Sequence, residues 1–111
     1  MQVIVEGKDM VVTPALQAHA QKQARKITKL HKHVIAIRLF LETVKKKSND
    51  PSANQVTYEI DIPGQDVVVK AHATDMYEAI TKATEVAQRK LRELAEKQRD
   101  LAREESVVAA S

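Results

Sequence analysis

Two stretches of alternating residues constrain the fold of this chain more than any other feature. Apolar residues occupy every second position of residues 35–41 and 56–62, and the positions between them include Arg38, Thr57 and Glu59. An alternation with a period of two predicts β-strands that have one apolar and one polar face. The sheet that contains these strands must therefore bury one face under other elements and leave the other face in water.

Two shorter strands complete the predicted sheet. Residues 2–6 read as a strand that Gly7 ends, and residues 67–73 read as a fourth strand. Between the third and fourth strands, Pro63-Gly64 supplies the residue types of a type II turn. The polar residues 45–54 are rich in turn formers, so we expect them to form the loop of a hairpin.

Two amphipathic helices are predicted from their end signals. Thr13 and Pro14 are typical of an N-cap and a first helical residue, and this helix is expected to end near His31. Asp75 is expected to cap the second helix, and Glu78, three residues later, would complete a capping box. Both helices must cover the apolar face of the sheet, because the other face carries polar and charged residues.

The length and composition fit one core. The chain has 111 residues, of which 43% are hydrophobic, and this is enough for a single domain and too little for two. We expect an α/β (α+β) domain at residues 1–98, with element order β-α-β-β-β-α and a four-stranded sheet under two helices. Residues 99–111 are interpreted as the helix end and a short flexible tail that frays from Ser106.

The first helix carries all of its charge on one side. Residues 10–41 contain six basic residues and no Asp or Glu, and an apolar stripe that includes Leu16 and Ile27 lies opposite the cations. A solvated helix usually alternates the sign of its charges, so this pattern favours a polyphosphate partner, foremost nucleic acid. A cationic face that serves only solubility is the competing interpretation. The candidate contacts are Lys22, Arg25, Lys26 and Lys29.

Four cations of the second helix could extend that surface. The charges on its outer side alternate in sign, and Glu78 is placed to pair with Lys82, so much of this charge is expected to be structural. If the two helices lie side by side, the cations of both would line a groove that follows a phosphate backbone. The candidates on this helix are Lys82, Arg89, Lys90 and Arg92.

Other chemistries lack the residues that they need. The chain has no cysteine and only two glycines, so it offers no cysteine nucleophile and no glycine-rich phosphate loop. His31 and His33 supply two ligands, whereas zinc usually takes three or four. We expect no enzyme, metal, cofactor or small-molecule substrate. The N-terminal MQVIVEG has neither a basic segment nor a long apolar run, so we also expect no signal peptide or membrane span, and a cytoplasmic location.

Three segments carry a resemblance to a known family. They are EGKDMVVTPAL at residues 6–16, KITK at residues 26–29 and TDMYEAI at residues 74–80. With these motifs and the element order, residues 1–98 resemble the ribosome hibernation-promoting factor and ribosome-associated inhibitor family, which includes the light-repressed proteins. The resemblance implies an α/β domain that is superficially similar to a double-stranded-RNA-binding domain.

The resemblance also implies a function by occupancy and not by catalysis. Such proteins bind ribosomal RNA of the small ribosomal subunit, in the channel between head and body. They overlap the sites for messenger RNA and transfer RNA there and block translation during starvation or stationary phase. Longer members carry an additional C-terminal domain that pairs ribosomes, and this chain resembles the short forms. Away from the ribosome we expect a monomer.

The resemblance extends unevenly to individual residues. Lys26 and Lys29 match the K-x-x-K of the family's first helix, and Arg89 matches the arginine of the second-helix pattern K-L-x-R-Q-L-x-K. We expect Lys90 and Arg92 to compensate from neighbouring turns for the positions that depart from this pattern. We therefore rank the second helix below the first. The departing residues are Val86, Ala87 and Glu93.

A small interaction module is the alternative function. The cationic helix could dock an acidic protein partner, and composition alone does not separate the two partners. If the partner is RNA, the chain has only three aromatic residues for stacking on bases. We therefore expect its contacts to be mostly with phosphate and ribose, reading shape instead of sequence.

Overall fold

The element order of the structure is the predicted one. The computed structural model describes residues 2–43 and 53–110, with side chains described as far as residue 98. The predicted hairpin loop lies outside the described residues, except for its last two. The predicted order of elements, β-α-β-β-β-α, is confirmed. The elements are β1 Gln2–Lys8, α1 Pro14–Leu30, β2 Ala36–Thr43, β3 Asn54–Ile62, β4 Gln65–Ala73 and α2 Met76–Ala110.

The four strands form one mixed sheet in the order β1-β2-β3-β4. β1 is parallel to β2, and the other two pairs are antiparallel. One row across the sheet joins Val5, Leu39, Tyr58 and Val69, which lie opposite one another in successive strands. Residues in one such row point to the same face, so this row belongs to the apolar side of all four strands.

Both helices cover that apolar side, as the sequence predicts. α1 packs against β1, α2 packs against β3 and β4, and the two helices also pack against each other. Small residues on the buried sides of the helices let their backbones approach the sheet closely. The fully buried helical residues that face the sheet include Ala20, Ala24, Ile27, Ile80, Ala83 and Ala87.

Several local predictions are confirmed in detail. The Thr13 Oγ1 accepts a hydrogen bond from the Leu16 N–H at 3.2 Å, with Pro14 as the first residue of α1. α1 ends where the His31 N–H donates to the Ile27 carbonyl at 2.8 Å. Gly64 has a φ of 87°, which the third position of a type II turn requires.

The ends of several elements differ from their predicted positions, and β1 runs through Gly7 to Lys8. Ile35 is 52% exposed and not buried, although its N–H donates to the Asp61 carbonyl of β3 at 2.8 Å, because it lies at the end of the sheet, one residue before β2 begins. Asp75 contributes its backbone carbonyl to the Ala79 N–H, but among the described hydrogen bonds none joins its side chain to the first turn of α2. α2 continues to Ala110, since the last turns contain good helix formers and neither Pro nor Gly. Flexibility of residues 99–111 stays a prediction.

Candidate nucleic-acid interface

The helices α1 and α2 lie side by side and run in the same direction. The ring N–H of His19 donates to the Tyr77 carbonyl, with 3.2 Å between Nε2 and the oxygen, and it lies 3.3 Å from the Thr81 Oγ1. Further along α1, the pKa of His31 is lowered by partial burial, by His33 and by the Arg92 guanidinium of α2. Both interactions advance in the same sense along the two helices, so their outer sides form one continuous surface.

The outward side of α1 carries four cations that we call the α1 basic face: Lys22, Arg25, Lys26 and Lys29. All four side chains are exposed. From the first to the last they span about 10 Å of the helix axis. The ion pairs found among the described residues join other side chains, so none of these four cations has a carboxylate at ion-pair distance there. Their positive charge is therefore available to an external anion.

Two cations of α2 extend this surface. Thr81 marks the side of α2 that faces α1, because its hydroxyl lies against His19. Arg92 follows three helical turns later and so lies on the same side, which agrees with its effect on His31. Arg89 is exposed and lies on the outward side, next to the α1-facing side. Together these two arginines lengthen the α1 basic face at the C-terminal end of the helix pair.

The other two predicted cations of α2 do not join that surface as free charges. Lys82 is exposed, but its Nζ lies 3.4 Å from the Glu78 Oε1 one turn earlier, as the sequence predicts. Lys90 lies two and a half turns after Thr81, on the flank of α2 opposite α1. An RNA contact of all eight cations stays a prediction, but Lys90 does not face the continuous surface that α1 and α2 form. The rotation of α2 about its own axis places Lys90 outside it.

The junction after α1 adds two imidazoles to this end of the surface. The rings of His31 and His33 are 6.1 Å apart in an edge-to-face arrangement. The residue pattern did not indicate that Arg92 approaches His31. No sequence signal could have shown this approach, because it depends on how two helices pack. Within the described part of the chain, no group of three or more His, Asp or Glu is placed to hold a metal ion.

The open face of the sheet differs from the helical face in charge. Two of its cations are paired across strands, Lys8 with Glu42 at 4.0 Å and Arg38 with Glu59 at 3.7 Å. Its single Phe, Tyr or Trp among the described residues is Phe40, which is half-buried. Sheets that bind RNA present two or three stacking aromatics. The helical face is therefore the better candidate.

The sequence profile of the family described as Sigma 54 modulation protein / S30EA ribosomal protein matches residues 3–99. The chain belongs to this family. The match confirms the resemblance identified from the three sequence motifs. Among the residues that the structure describes, no helix combines the length and the apolar character needed to cross a bilayer.

Two curated relatives of this S30EA family member carry related names. The ribosome hibernation promoting factor of Acinetobacter guillouiae is 32% identical over 95 residues, which cover 82% of this chain and 84% of that protein. The ribosome hibernation promotion factor of Deinococcus radiodurans is 28% identical over 88 residues, or 79% of this chain. The matched residues cover 46% of the Deinococcus protein, so this chain spans about half of that protein's length.

Two solved structures share the fold of the S30EA domain described here. A ribosomal subunit interface protein from Coxiella burnetii superposes with a TM-score of 0.75 at 18% identity, covering 86% of this chain and 98% of that chain. The N-terminal domain of Thermus thermophilus Protein Y superposes with a TM-score of 0.70 at 19% identity, covering 85% and 99%. At these identities the likeness concerns the fold alone.

Proposed function

We propose that this chain is a ribosome hibernation factor that binds ribosomal RNA of the small subunit. Bound in the channel for messenger RNA and transfer RNA, it blocks translation during starvation or stationary phase. The mechanism is occupancy: the folded domain fills the space that the messenger and the anticodon stems need, and no bond is made or broken. Family membership and the names of the two curated relatives support the ribosome as the partner.

The α1 basic face is the observation that carries this proposal. Four exposed cations within two turns, without a carboxylate partner among the described residues, would be self-repelling in a solvated helix. A phosphate backbone removes that repulsion and releases its own counterions when the cations bind. Arg89 and Arg92 extend this contact with RNA. Lys82 contributes less because it pairs with Glu78, and Lys90 contributes less because it lies on the flank of α2 opposite α1.

Sedimentation of the purified protein with isolated small and large ribosomal subunits tests the proposal. We expect co-sedimentation with the small subunit at low salt and a steep loss of binding as salt rises. Four phosphate contacts correspond to a slope of about −3 in log K against log salt concentration. Replacement of all four residues of the α1 basic face by Glu is expected to abolish binding while the fold persists, because all four side chains are exposed.

A charge-matched variant controls for the change in net charge. Replacement of Lys82, Arg89, Lys90 and Arg92 by Glu alters the charge equally and should weaken binding less. If the α1 variant bound the small subunit as well as the parent, the role of the α1 basic face would be refuted. Ribonuclease treatment of lysate fractions separates RNA from an acidic protein partner, since only an RNA-dependent association disappears on digestion.

A further inference from the structure

A depression of ≈ 200 Å³ lies beside the C-terminal end of the helical surface. One wall comes from the end of β3 and the turn after it, with Ile62 and Pro63. The other wall is α2, where Leu94 is half-buried and Leu91 is only 2% exposed. The volume suits a small planar group, and the walls are mainly apolar. Such a depression would remove a flat ring system from water.

Two polar side chains line the same depression, His33 and Gln98. Both are exposed, so their polar atoms can donate hydrogen bonds to a ligand or accept hydrogen bonds from it. A primary amide pairs well with the edge of a nucleobase, and an imidazole ring can stack on one. Apolar walls with a few convergent polar groups are the usual composition of a small-ligand site.

One guanidinium and two imidazole rings adjoin this depression. The His33 ring is 6.1 Å from the His31 ring, and the Arg92 guanidinium is close enough to act on His31 electrostatically. The acid nearest along the helix face of Arg92 is Glu96, one turn later, and the two are not within ion-pair distance among the described contacts. An anion at His31 and Arg92 would thus lie beside a ring held at His33.

We propose that this depression receives one unpaired nucleobase of the bound RNA, while Arg92 and His31 hold the phosphate of the same nucleotide. The inference rests on the proposed function, because it names a part of the RNA that the helical surface would bind. Continuity with the α1 basic face supports a nucleotide over an apolar peptide side chain. A phosphate alone would gain nothing from the apolar walls formed by Ile62, Pro63 and Leu94, whereas a nucleobase would bury its ring against them.

Nuclear magnetic resonance titration of the full chain tests the site with two probes, adenosine 5′-monophosphate and inorganic phosphate. The nucleotide is expected to shift the methyl resonances of Leu94 and the ring resonances of His33. Inorganic phosphate should shift the resonances of His31 and leave the Leu94 methyl groups in place. Nucleotide shifts at Leu94 that equal those with phosphate would overturn the inference.

Two variants sharpen the test. Ala95→Phe places a ring in the depression. Gln98→Leu removes the amide with only a small change in volume, which guards against a folding defect in the first variant. Both should reduce the nucleotide shifts at Leu94, and both should weaken binding to small subunits about fivefold or more. Unchanged nucleotide shifts in both variants would also overturn the inference.

The two proposals fail in different ways. If the parent protein does not bind small subunits, the proposed function is wrong. If the parent binds with steep salt dependence, but both variants bind equally well, only the nucleobase site is wrong. Binding of the nucleotide at Leu94 together with weaker binding of both variants to subunits would support the site.

Discussion

The hydroxyl groups of Tyr58 and Thr84 lie 2.7 Å apart in the buried core and join β3 to α2. Thr84 donates its only hydroxyl proton to the Ile80 carbonyl at 2.8 Å. Tyr58 must therefore be the donor in the bond to Thr84. Burial raises the pKa of Tyr58 to about 12, so the phenol keeps the proton that it donates.

This direction of donation predicts unequal effects of removing the two hydroxyl groups. Tyr58→Phe removes a donor, while Thr84 keeps its bond to Ile80, so the free energy of unfolding should fall by about 1 kcal/mol. Thr84→Val leaves the buried phenol without its acceptor and should cost about 1–3 kcal/mol. Urea denaturation of the two variants measures both values. A smaller cost for Thr84→Val than for Tyr58→Phe would contradict the assigned direction.

Gly7 is predicted to tolerate no side chain. A Cβ atom at this position would lie 2.4 Å from the Met10 carbonyl oxygen, because the chain turns back sharply after β1. Gly7→Ala should lower the free energy of unfolding by about 1–3 kcal/mol, the usual cost of forcing extra volume into a packed site. Thermal and urea denaturation measure the loss.

A matched pair of variants separates this steric cause from backbone strain. Gly64 has a positive φ, but a Cβ atom at this position would meet only open space. Gly64→Asn should therefore cost less than Gly64→Ala, since Asn tolerates this conformation. Gly7→Asn should not be better than Gly7→Ala. Recovery of stability by Asn at Gly7 would show that φ and not the contact with Met10 sets the cost.

Lys29 and Lys90 form a matched pair for the proposed RNA contact. Both are exposed lysines in helices, but Lys29 belongs to the α1 basic face and Lys90 lies on the far flank of α2. Lys29→Gln should weaken binding to small subunits and reduce the salt slope by about 0.7–0.9. Lys90→Gln should leave the affinity for small subunits and the salt slope close to the parent values. Equal effects in sedimentation at several salt concentrations would argue against the assigned face.

His31 is predicted to make the fold less stable in mild acid. Because partial burial, His33 and Arg92 lower its pKa below the ordinary 6.5, the unfolded chain binds this proton more readily than the folded chain. The free energy of unfolding should therefore fall as pH drops below about 6.5, and His31 should contribute fully above that value. His31→Gln is expected to reduce the loss of stability between about pH 7.5 and about pH 5.5.

Arg92→Gln independently tests the electrostatic effect of Arg92 on the pKa of His31. Removal of the guanidinium should raise the pKa of His31, and thereby reduce the dependence of stability on pH without removing the imidazole. Denaturation curves at several pH values measure the slope for each variant. If neither substitution changed the slope, the coupling between the end of α1 and α2 would be absent in solution.

Features that depend on a few neighbouring residues could be predicted from the sequence. Three such features appear where the pattern places them: the alternation in β2 and β3, the Thr13 cap and the turn at Gly64. Each depends on residues that are only a few positions apart in the sequence. Among the described hydrogen bonds, none forms the expected side-chain cap at Asp75, although its residue types satisfy the motif. Local signals are therefore reliable for the kind of element and less so for its ends.

The residue pattern alone indicates that one helix exposes a purely cationic side and that both helices share one face of a sheet. Which cations of α2 join that side depends on how the two helices pack in the folded domain. Burial of Ile80, Ala83 and Ala87 against the sheet fixes the rotation of α2, with Thr81 next to His19, so that Arg92 lies near His31 and Lys90 points away. The physical reason is that each residue along a helix turns by about 100°, so packing between residues distant in sequence decides where each charge points.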